Sequence, residues 1–266
     1  MYRLGINYDE NGVLSPKEAF ALFRALGFDA VFSAYLPSDS SFVDRCAACA
    51  AENGLAYESL HAPFGHINDI WKEGDDGDRM LRELTDTVEA AHRLQIPVTV
   101  VHLSSGNNAP CVNDIGHRRL DMLMEVAVKR GVTVAFENLR KLANLAFVME
   151  LYESVEKAAF CWDVGHEQCF TGGREYMPLF GKRLVCTHIH DNLMEPGGDL
   201  HMLPFDGKIR FERTVQLLKQ YDYHGTLTLE VFPHFSKLYS TLSPEEFYRK
   251  AFGAALKLRE MAEKAP

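Results

Sequence analysis

Short apolar, β-branched and aromatic runs alternate with amphipathic helical stretches from one end of the chain to the other. The short runs predict eight strands, over residues 3–8, 29–36, 55–62, 97–103, 132–138, 158–164, 183–191 and 226–232. The first helix is predicted to follow Ser15-Pro16 and to end at Gly27, which are typical start and stop residues. Further helices are predicted up to Asn53-Gly54 and over 78–94, 112–130, 141–155, 174–181, 211–221 and 244–263.

This alternation indicates a parallel α/β sheet, either a closed barrel or, less favoured, an open doubly wound sheet. A strand, its helix and two loops need roughly 30 residues, so a chain of 266 residues fits eight such units. No G-x-G-x-x-G segment follows the first strand, which argues against a dinucleotide-binding sheet. Because no linker or composition shift divides the chain, we predict one single (β/α)8 TIM barrel domain over residues 1–266.

Residues of the types that ligate metals stand at the ends of the predicted strands. They recur about every 34 residues, close to the length of one strand–helix unit. In a barrel the carboxyl ends of all strands converge on one mouth, so residues distant in sequence would share one site. The strand-end residues are His61, His102, Glu137, Asp163, His188 and Glu230.

The carboxylates among them carry most of the argument. Glu137 and Glu230 lie within apolar runs, where an ionised side chain is costly unless it is paired or metal-bound. Each alone is equally explained by a buried ion pair with an arginine or by a strand edge that faces water. Together with Asp163 on a neighbouring strand, they favour a functional site.

Histidines extend the pattern beyond the strand ends. We expect Gly165 in the segment CWDVGH to permit a sharp turn that brings His166 over the mouth. His188 and His190 alternate along one strand and therefore share a face. We expect Asp191 to orient His188 from behind. A long loop before the next helix carries Asp199 and His201, and the alternative for these two is a flexible polar loop.

Composition bounds the class of protein. A net charge of −9 argues weakly against a nucleic-acid partner, although a local basic rim is compatible with it. The six cysteines lack a disulfide-framework pattern, and Cys46 and Cys49 are interpreted as small residues that pack a helix against the sheet. No apolar stretch approaches the ~18 residues of a membrane span, and the first residues lack a secretory signal. We therefore expect a cytoplasmic protein.

The ordered segments HAPF, VHLSSG, FENLRK, CWDVGH, HIHDN, DLHMLPFDGKI and LTLEVF resemble the xylose isomerase-like TIM barrel superfamily. Specifically, they are similar to its sugar phosphate isomerase/epimerase and endonuclease IV-type branches. The first branch implies one divalent metal, held here by Glu137, Asp163, His188 and Glu230. The second implies three zinc ions, with the additional ligands His61, His102, His166, Asp199 and His201. Ligands alone do not separate the two branches.

Three segments favour the isomerase branch. The loop SAYLPSDSS contains no arginine, the segment APFGHIND differs from the S-Y-L-I-N pattern of the nucleases, and NLRKLANL replaces their glycine-rich stretch. A DNA-binding surface needs basic and aromatic loop tips, which are sparse here.

The resulting expectation is a metal-dependent isomerase or epimerase of a small sugar, sugar phosphate or polyol. It would act by proton abstraction next to a carbonyl through a metal-stabilised enediolate. Glu137 and Glu230 would transfer the proton, and His166 would hydrogen-bond a substrate oxygen. Arg140 and Lys141 are candidates for a substrate phosphate or carboxylate.

The cofactor is expected to be one of Zn, Mn, Mg, Co or Fe, because carboxylate-rich sites with histidine accommodate several metals. The expected partner is a small carbohydrate, with neither membrane nor nucleic acid, and assembly into a homo-oligomer stays open. The alternatives are a multi-zinc phosphodiesterase resembling AP endonucleases, and a non-catalytic sugar-binding barrel.

Overall fold

The computed structural model describes residues 1–171, 174–195 and 198–264. Eight parallel strands pair in chain order, and β1 also pairs with β8. A bridge between Ile189 and Leu229 joins the two remaining edges and closes the sheet. The strands are β1 (Arg3–Asn7), β2 (Ala30–Ala34), β3 (Ala56–His61), β4 (Val98–Val101), β5 (Thr133–Glu137), β6 (Ala158–Asp163), β7 (Leu184–His188) and β8 (Thr226–Leu229).

Helices between the strands form the outer layer, and the predicted single (β/α)8 TIM barrel is thereby confirmed. They are α1 (Pro16–Leu26), α2 (Phe42–Asn53), α3 (Asp75–Arg93), α4 (Asp114–Arg130), α5 (Leu142–Leu151), α6 (Val164–Thr171), α7 (Met177–Phe180), α8 (Phe211–Gln220) and α9 (Pro244–Lys264). The prediction of one domain over residues 1–266 stays a prediction, and its residues 172–173, 196–197 and 265–266 lie outside the described residues.

The prediction of eight helices was wrong by one within the described chain. Helix α6 starts directly after β6, where the sequence predicted a loop, and the helix predicted over 174–181 is reduced to α7 and a short 3-10 turn. Helix α6 has little amphipathic pattern, since its first residues are all buried at the barrel mouth. A helix that is enclosed on most sides has no continuous polar face, so its sequence lacks the amphipathic pattern that predicts a helix.

Local signals and burial explain the other elements. Ser15 and Glu18 form a reciprocal capping box at the start of α1, and Gly27 ends that helix in the left-handed conformation. All six residues of β6 are buried, as expected for a parallel strand that is covered on both faces. Among the described residues, no helix is both long and apolar enough to cross a membrane.

The loops that follow β3 and β4 are held together by Trp71 and Arg119. The Trp71 indole donates to the carbonyl of Leu103 at 2.7 Å. The buried Arg119 guanidinium donates to carbonyls between β3 and α3, including that of Ile70 at 3.1 Å. Gly116, in the first turn of α4, lies directly against the Trp71 ring. These contacts fix the part of the mouth that lies beside His61 and His102.

Gly116→Ala is therefore expected to destabilise the protein, although alanine favours helices. An added Cβ would meet Trp71 at 2.0 Å, and such overpacking typically costs about 1–3 kcal/mol. The matched control is Gly253→Ala in α9, where a Cβ meets nothing within 4 Å and a gain of up to about 1 kcal/mol is expected. Thermal and urea unfolding of both variants measures the difference. Equal effects of the two substitutions would contradict the role given to the Trp71 contact.

Candidate metal centre

The structure brings all nine predicted ligands to one barrel mouth. Glu137, Asp163 and His188 end β5, β6 and β7, and Glu230 follows the last residue of β8. Their potential ligand atoms all lie within 4.8 Å of one another. The same spacing holds within two further groups that share the mouth. These are His61, His102 and Glu137, and His166, His190, Asp199 and His201.

Glu137 lies at the centre and is enclosed by imidazoles. Its Oε2 lies 3.3 Å from His61 Nε2 and 3.2 Å from His102 Nε2. The same oxygen is 3.4 Å from His188 Nδ1, and Oε1 is 3.0 Å from His166 Nδ1. The Glu137 side chain is 0% exposed. Burial opposes its ionisation, but the surrounding imidazoles, His102 and His188 foremost, outweigh burial and hold the pKa of Glu137 well below its usual range.

His188 connects Glu137 to Glu230. Its Nδ1 is 3.4 Å from Glu137 Oε2 and 3.4 Å from Glu230 Oε2. Burial disfavours the charged imidazole, but the two carboxylates outweigh burial and raise the pKa of His188 to about 10. In the absence of a metal, a proton on His188 therefore balances part of the charge of these two carboxylates.

Asp199 holds the second cluster of histidines. Its Oδ2 is 3.2 Å from His166 Nε2, and its Oδ1 is 3.3 Å from His201 Nε2. Burial opposes a charge on His201, but Asp199 outweighs burial and raises its pKa to about 9. Asp199 and His201, which the sequence analysis assigned to a long loop, therefore both lie at the mouth, and Asp199 contacts His166 of α6.

His190 belongs to this cluster and was missed as a site residue. Its ring stacks on that of His201 with centroids 4.0 Å apart, and its Nε2 lies 3.1 Å from Asp163 Oδ1. The available signal was the alternation of His188 and His190 along one strand, which puts both on the same face. The family resemblance singled out His188 alone.

The prediction of a sharp turn at Gly165 was wrong. Gly165 lies within α6, and a Cβ there would meet the His190 ring at 1.9 Å. Glycine is needed because the imidazole packs against the helix backbone, and the helix itself carries His166 to the mouth.

The expected role of Asp191 was also wrong. Its carboxylate accepts hydrogen bonds from the backbone N–H groups of Asn192, Phe205, Gly207 and Ile209, at 2.8 to 3.0 Å. These bonds fold the loop that carries Asp199 and His201 back onto the barrel. Asp191 thus fixes the backbone of this loop rather than orienting the His188 imidazole, because four backbone N–H groups donate to its carboxylate.

Asn138 is a further residue that sequence reasoning missed. Its amide accepts from the Asp163 N–H and donates to the Asp163 carbonyl, both at 2.8 Å. The backbone carbonyl oxygen of Asn138 lies 3.2 Å from His166 Nδ1. The side chain therefore locks the ends of β5 and β6 in register beside the cluster.

The donor set fits a divalent metal. Among the described residues, the buried atoms Glu137 Oε1, Asp163 Oδ2, Asp199 Oδ1 and both ring nitrogens of His188 make no well-aligned hydrogen bond, although some have ion-pair contacts, such as that of Glu137 Oε1 with His166 Nδ1 at 3.0 Å. Buried polar atoms of this kind are costly unless a ligand satisfies them. Carboxylate oxygens and imidazole nitrogens converging within 4.8 Å are donors that Mg, Mn, Fe, Co and Zn accept.

A cavity of about 440 Å³ opens above the cluster, within the range of small-molecule sites. Glu230 and His166 reach its surface, whereas Glu137 is not among its lining residues. Of the two basic residues predicted to bind substrate, Arg140 lines the cavity. The ammonium group of Lys141 instead donates to the carbonyl of Ala109. The wall also includes the aromatic residues Tyr8, Phe32, Phe64, Phe170, Phe232 and Phe235.

The chain is similar in sequence to curated proteins and in fold to several solved structures. The chain is 28% identical to the uncharacterized protein y4fM of Sinorhizobium fredii, in an alignment that covers 97% of this chain and 92% of that protein. Its fold is similar to that of D-psicose 3-epimerase from Clostridium cellulolyticum H10, with a TM-score of 0.77, 17% identity, and coverage of 98% and 99% of the two chains. It is also similar to the 3-keto-D-glucoside 4-epimerase YcjR from E. coli, with a TM-score of 0.72, 16% identity, and coverage of 98% and 100%.

The sequence profile of the xylose isomerase-like TIM barrel family matches residues 20–255, a span that includes every ligand-type residue of the mouth. The chain belongs to the xylose isomerase-like TIM barrel family.

Proposed function

We infer that the protein is a metal-dependent isomerase or epimerase of a small sugar, sugar phosphate or polyol. The observation that carries this proposal is the placement of Glu230, whose carboxylate belongs to the four-ligand group and also lines the cavity. A carboxylate at the boundary between metal centre and substrate cavity is suited to proton transfer at a carbon next to a carbonyl. The epimerases named above have the same fold, which supports the proposal.

One divalent ion held by Glu137, Asp163, His188 and Glu230 would polarise adjacent carbonyl and hydroxyl oxygens of a sugar and acidify the C–H bond between them. The residues of the chain supply the rest. Glu230 accepts the proton, and His166, whose imidazole lines the cavity, donates a hydrogen bond to a substrate oxygen. The carboxylate of Asp199, 3.2 Å from His166 Nε2, holds the imidazole in its orientation beside the cavity.

Glu137 and Glu230 differ in access to the substrate. The Glu137 side chain is 0% exposed and enclosed by histidines, while that of Glu230 is 9% exposed at the cavity surface. A two-base inversion of a carbon centre needs a second group on the opposite face of the substrate. The enclosure of Glu137 therefore favours a one-base transfer by Glu230, which gives aldose–ketose exchange. Proton transfer by Glu137 stays a prediction.

A second candidate function is a multi-zinc phosphodiesterase of the AP-endonuclease type. The observation that favours it is the contact of both Glu137 oxygens with four imidazoles, since a carboxylate so placed can bridge two ions. A bridged pair of ions would activate water for in-line attack on a phosphodiester. Against it stands the arginine-free segment that follows β2.

Metal content separates the two candidates. Reconstitution with Zn or Mn, followed by removal of free ions and elemental analysis, is expected to give one tightly bound metal per chain. Because metal uptake must displace the proton that Glu137 and Glu230 hold on His188, whose pKa is about 10, affinity should rise as the pH is raised from 6 towards about 9. Three tightly bound zinc ions per chain would instead support the phosphodiesterase.

Glu230→Gln is expected to abolish most of the proton exchange while it preserves side-chain volume and one oxygen ligand. Washout of a substrate C–H proton into solvent should fall by about 10²–10⁴, which is typical for loss of a general base. The readout is deuterium incorporation by NMR, with metal content measured in parallel. Glu125→Gln, on the exposed face of α4, is the control and should leave the rate unchanged. An unaltered washout rate in Glu230→Gln would remove Glu230 from the mechanism.

The wild-type protein is also expected not to cleave an abasic DNA duplex. The few basic groups at the loop tips cannot neutralise the phosphates that such a duplex presents. Incubation of the zinc-loaded protein with a labelled abasic duplex tests this directly. Robust cleavage that is lost in Glu230→Gln would transfer the assignment to the phosphodiesterase.

A further inference from the structure

Arg140 presents its guanidinium to the cavity. Its Cζ lies 3.5 Å from the centroid of the Phe170 ring, and both side chains line the cavity. Within residues 1–171, 174–195 and 198–264, no carboxylate or carbonyl oxygen accepts a hydrogen bond from it. Arg140 is partly buried, so the group gives up part of its hydration without protein acceptors in exchange.

Two other arginines with restricted exposure show the contrast. Arg119 donates to the carbonyl of Ile70 at 3.1 Å and to Asp78 Oδ1 at 2.8 Å. Arg183 donates to the carbonyls of Met149 and Tyr152 at 2.9 and 3.0 Å. Both guanidinium groups connect segments of the protein and donate their N–H groups to protein oxygens. The donors of Arg140 remain available to a molecule in the cavity.

Phe170 fixes the position of the Arg140 guanidinium relative to the metal centre. The Phe170 ring also stacks on the His166 imidazole, with centroids 5.0 Å apart and 25° between the planes. A guanidinium over an aromatic face is held by a cation–π interaction. Arg140 therefore stands at a set distance from His166, with one ring between them, rather than on a freely moving side chain.

The loop after β4 contributes further hydroxyl donors to the cavity that Arg140 lines. Ser104 and Ser105 line the same cavity, and Ser104 is buried. This loop is attached to the segment after Arg140, because the Lys141 ammonium donates to the Ala109 carbonyl and the Asn144 amide donates to the Leu103 carbonyl at 3.3 Å. Lys141 thus positions the loop rather than contacting the cavity.

Charge distinguishes this part of the cavity from the remainder. Glu10, Asp199 and Glu230 contribute carboxylates to the lining, whereas Arg140 contributes a permanent positive charge. An anionic group would be repelled by these carboxylates and attracted to Arg140. The planar fork of a guanidinium matches the two oxygens of a carboxylate or phosphate.

We propose that the substrate is an acidic sugar whose carboxylate or phosphate binds Arg140, with the hydroxyls of Ser104 and Ser105 alongside, while its reacting carbon faces Glu230. This inference rests on the proposed isomerase function and adds the class of substrate. It makes Arg140 the residue that selects charged over neutral sugars and sets which end of the sugar meets the metal centre.

The test compares matched ketoses: fructose, fructose 6-phosphate and fructuronate. Wild-type protein, loaded with metal, should exchange the proton of at least one acidic sugar with a higher kcat/KM than that of fructose. Arg140→Met should lower kcat/KM for that acidic sugar by roughly 10- to 100-fold, mainly through KM, as expected for loss of a charge-assisted hydrogen bond. The value for fructose should change by less than about threefold. The two acidic sugars distinguish carboxylate from phosphate.

Two further variants sharpen the comparison. Arg140→Lys keeps the charge but loses the fork, and should recover only part of the affinity. Arg118→Met, on the exposed face of α4, removes the same charge elsewhere and should match the wild type. A preference of the wild type for fructose, or equal losses for neutral and acidic sugars in Arg140→Met, would overturn the inference.

Calorimetric titration with inorganic phosphate and with acetate gives a readout that needs no turnover. Metal-loaded wild-type protein should bind at least one of them more tightly than metal-loaded Arg140→Met does, by a similar factor. Equal affinity in the two proteins would refute the anion site whatever the reaction is. Loss of affinity in Arg140→Met together with no proton exchange on any sugar would uphold the anion site and refute the isomerase proposal.

Discussion

The enclosed carboxylate of Glu137 is the constraint on which the rest of the mouth depends. An ionised carboxylate removed from water must be compensated by opposite charge or by a metal. Here four imidazoles from β3, the residue after β4, α6 and β7 surround it, each within 3.4 Å. Removing Glu137 would leave these imidazoles clustered without their shared counter-ion.

Several polar residues outside the ligand set serve this arrangement. Asn138 joins the ends of β5 and β6 by two hydrogen bonds, and Asp191 folds back the loop that carries Asp199 and His201. Gly165 allows the His190 ring to lie against the backbone of α6. Such contacts keep ligands in place before a metal arrives, which reduces the cost of ordering them on binding.

The cavity above the centre combines opposed surfaces. Its floor is acidic and belongs to the metal centre, its wall is largely aromatic, and one cationic group stands on Phe170. A barrel of this family supplies the converging strand ends, whereas loop residues such as Arg140 and Ser104 line the cavity above them. This is why one ligand set is compatible both with proton transfer on a sugar and with phosphodiester cleavage, and why the loop charges favour the first.

The amino-acid sequence by itself determined the barrel and the identity of the nine ligand-type residues. Strand periodicity and the spacing of residues such as Glu137 and Glu230 are local properties, and parallel pairing in chain order then brings the strand ends together. Only the tertiary structure decided that Glu137 is enclosed while Glu230 meets the cavity. Helix α6, the packing of His190 on Gly165 and most backbone contacts of Asp191 were likewise hidden, because they depend on residues that are distant in the sequence. Burial and direction of a side chain are set by such distant contacts, and no local pattern encodes them.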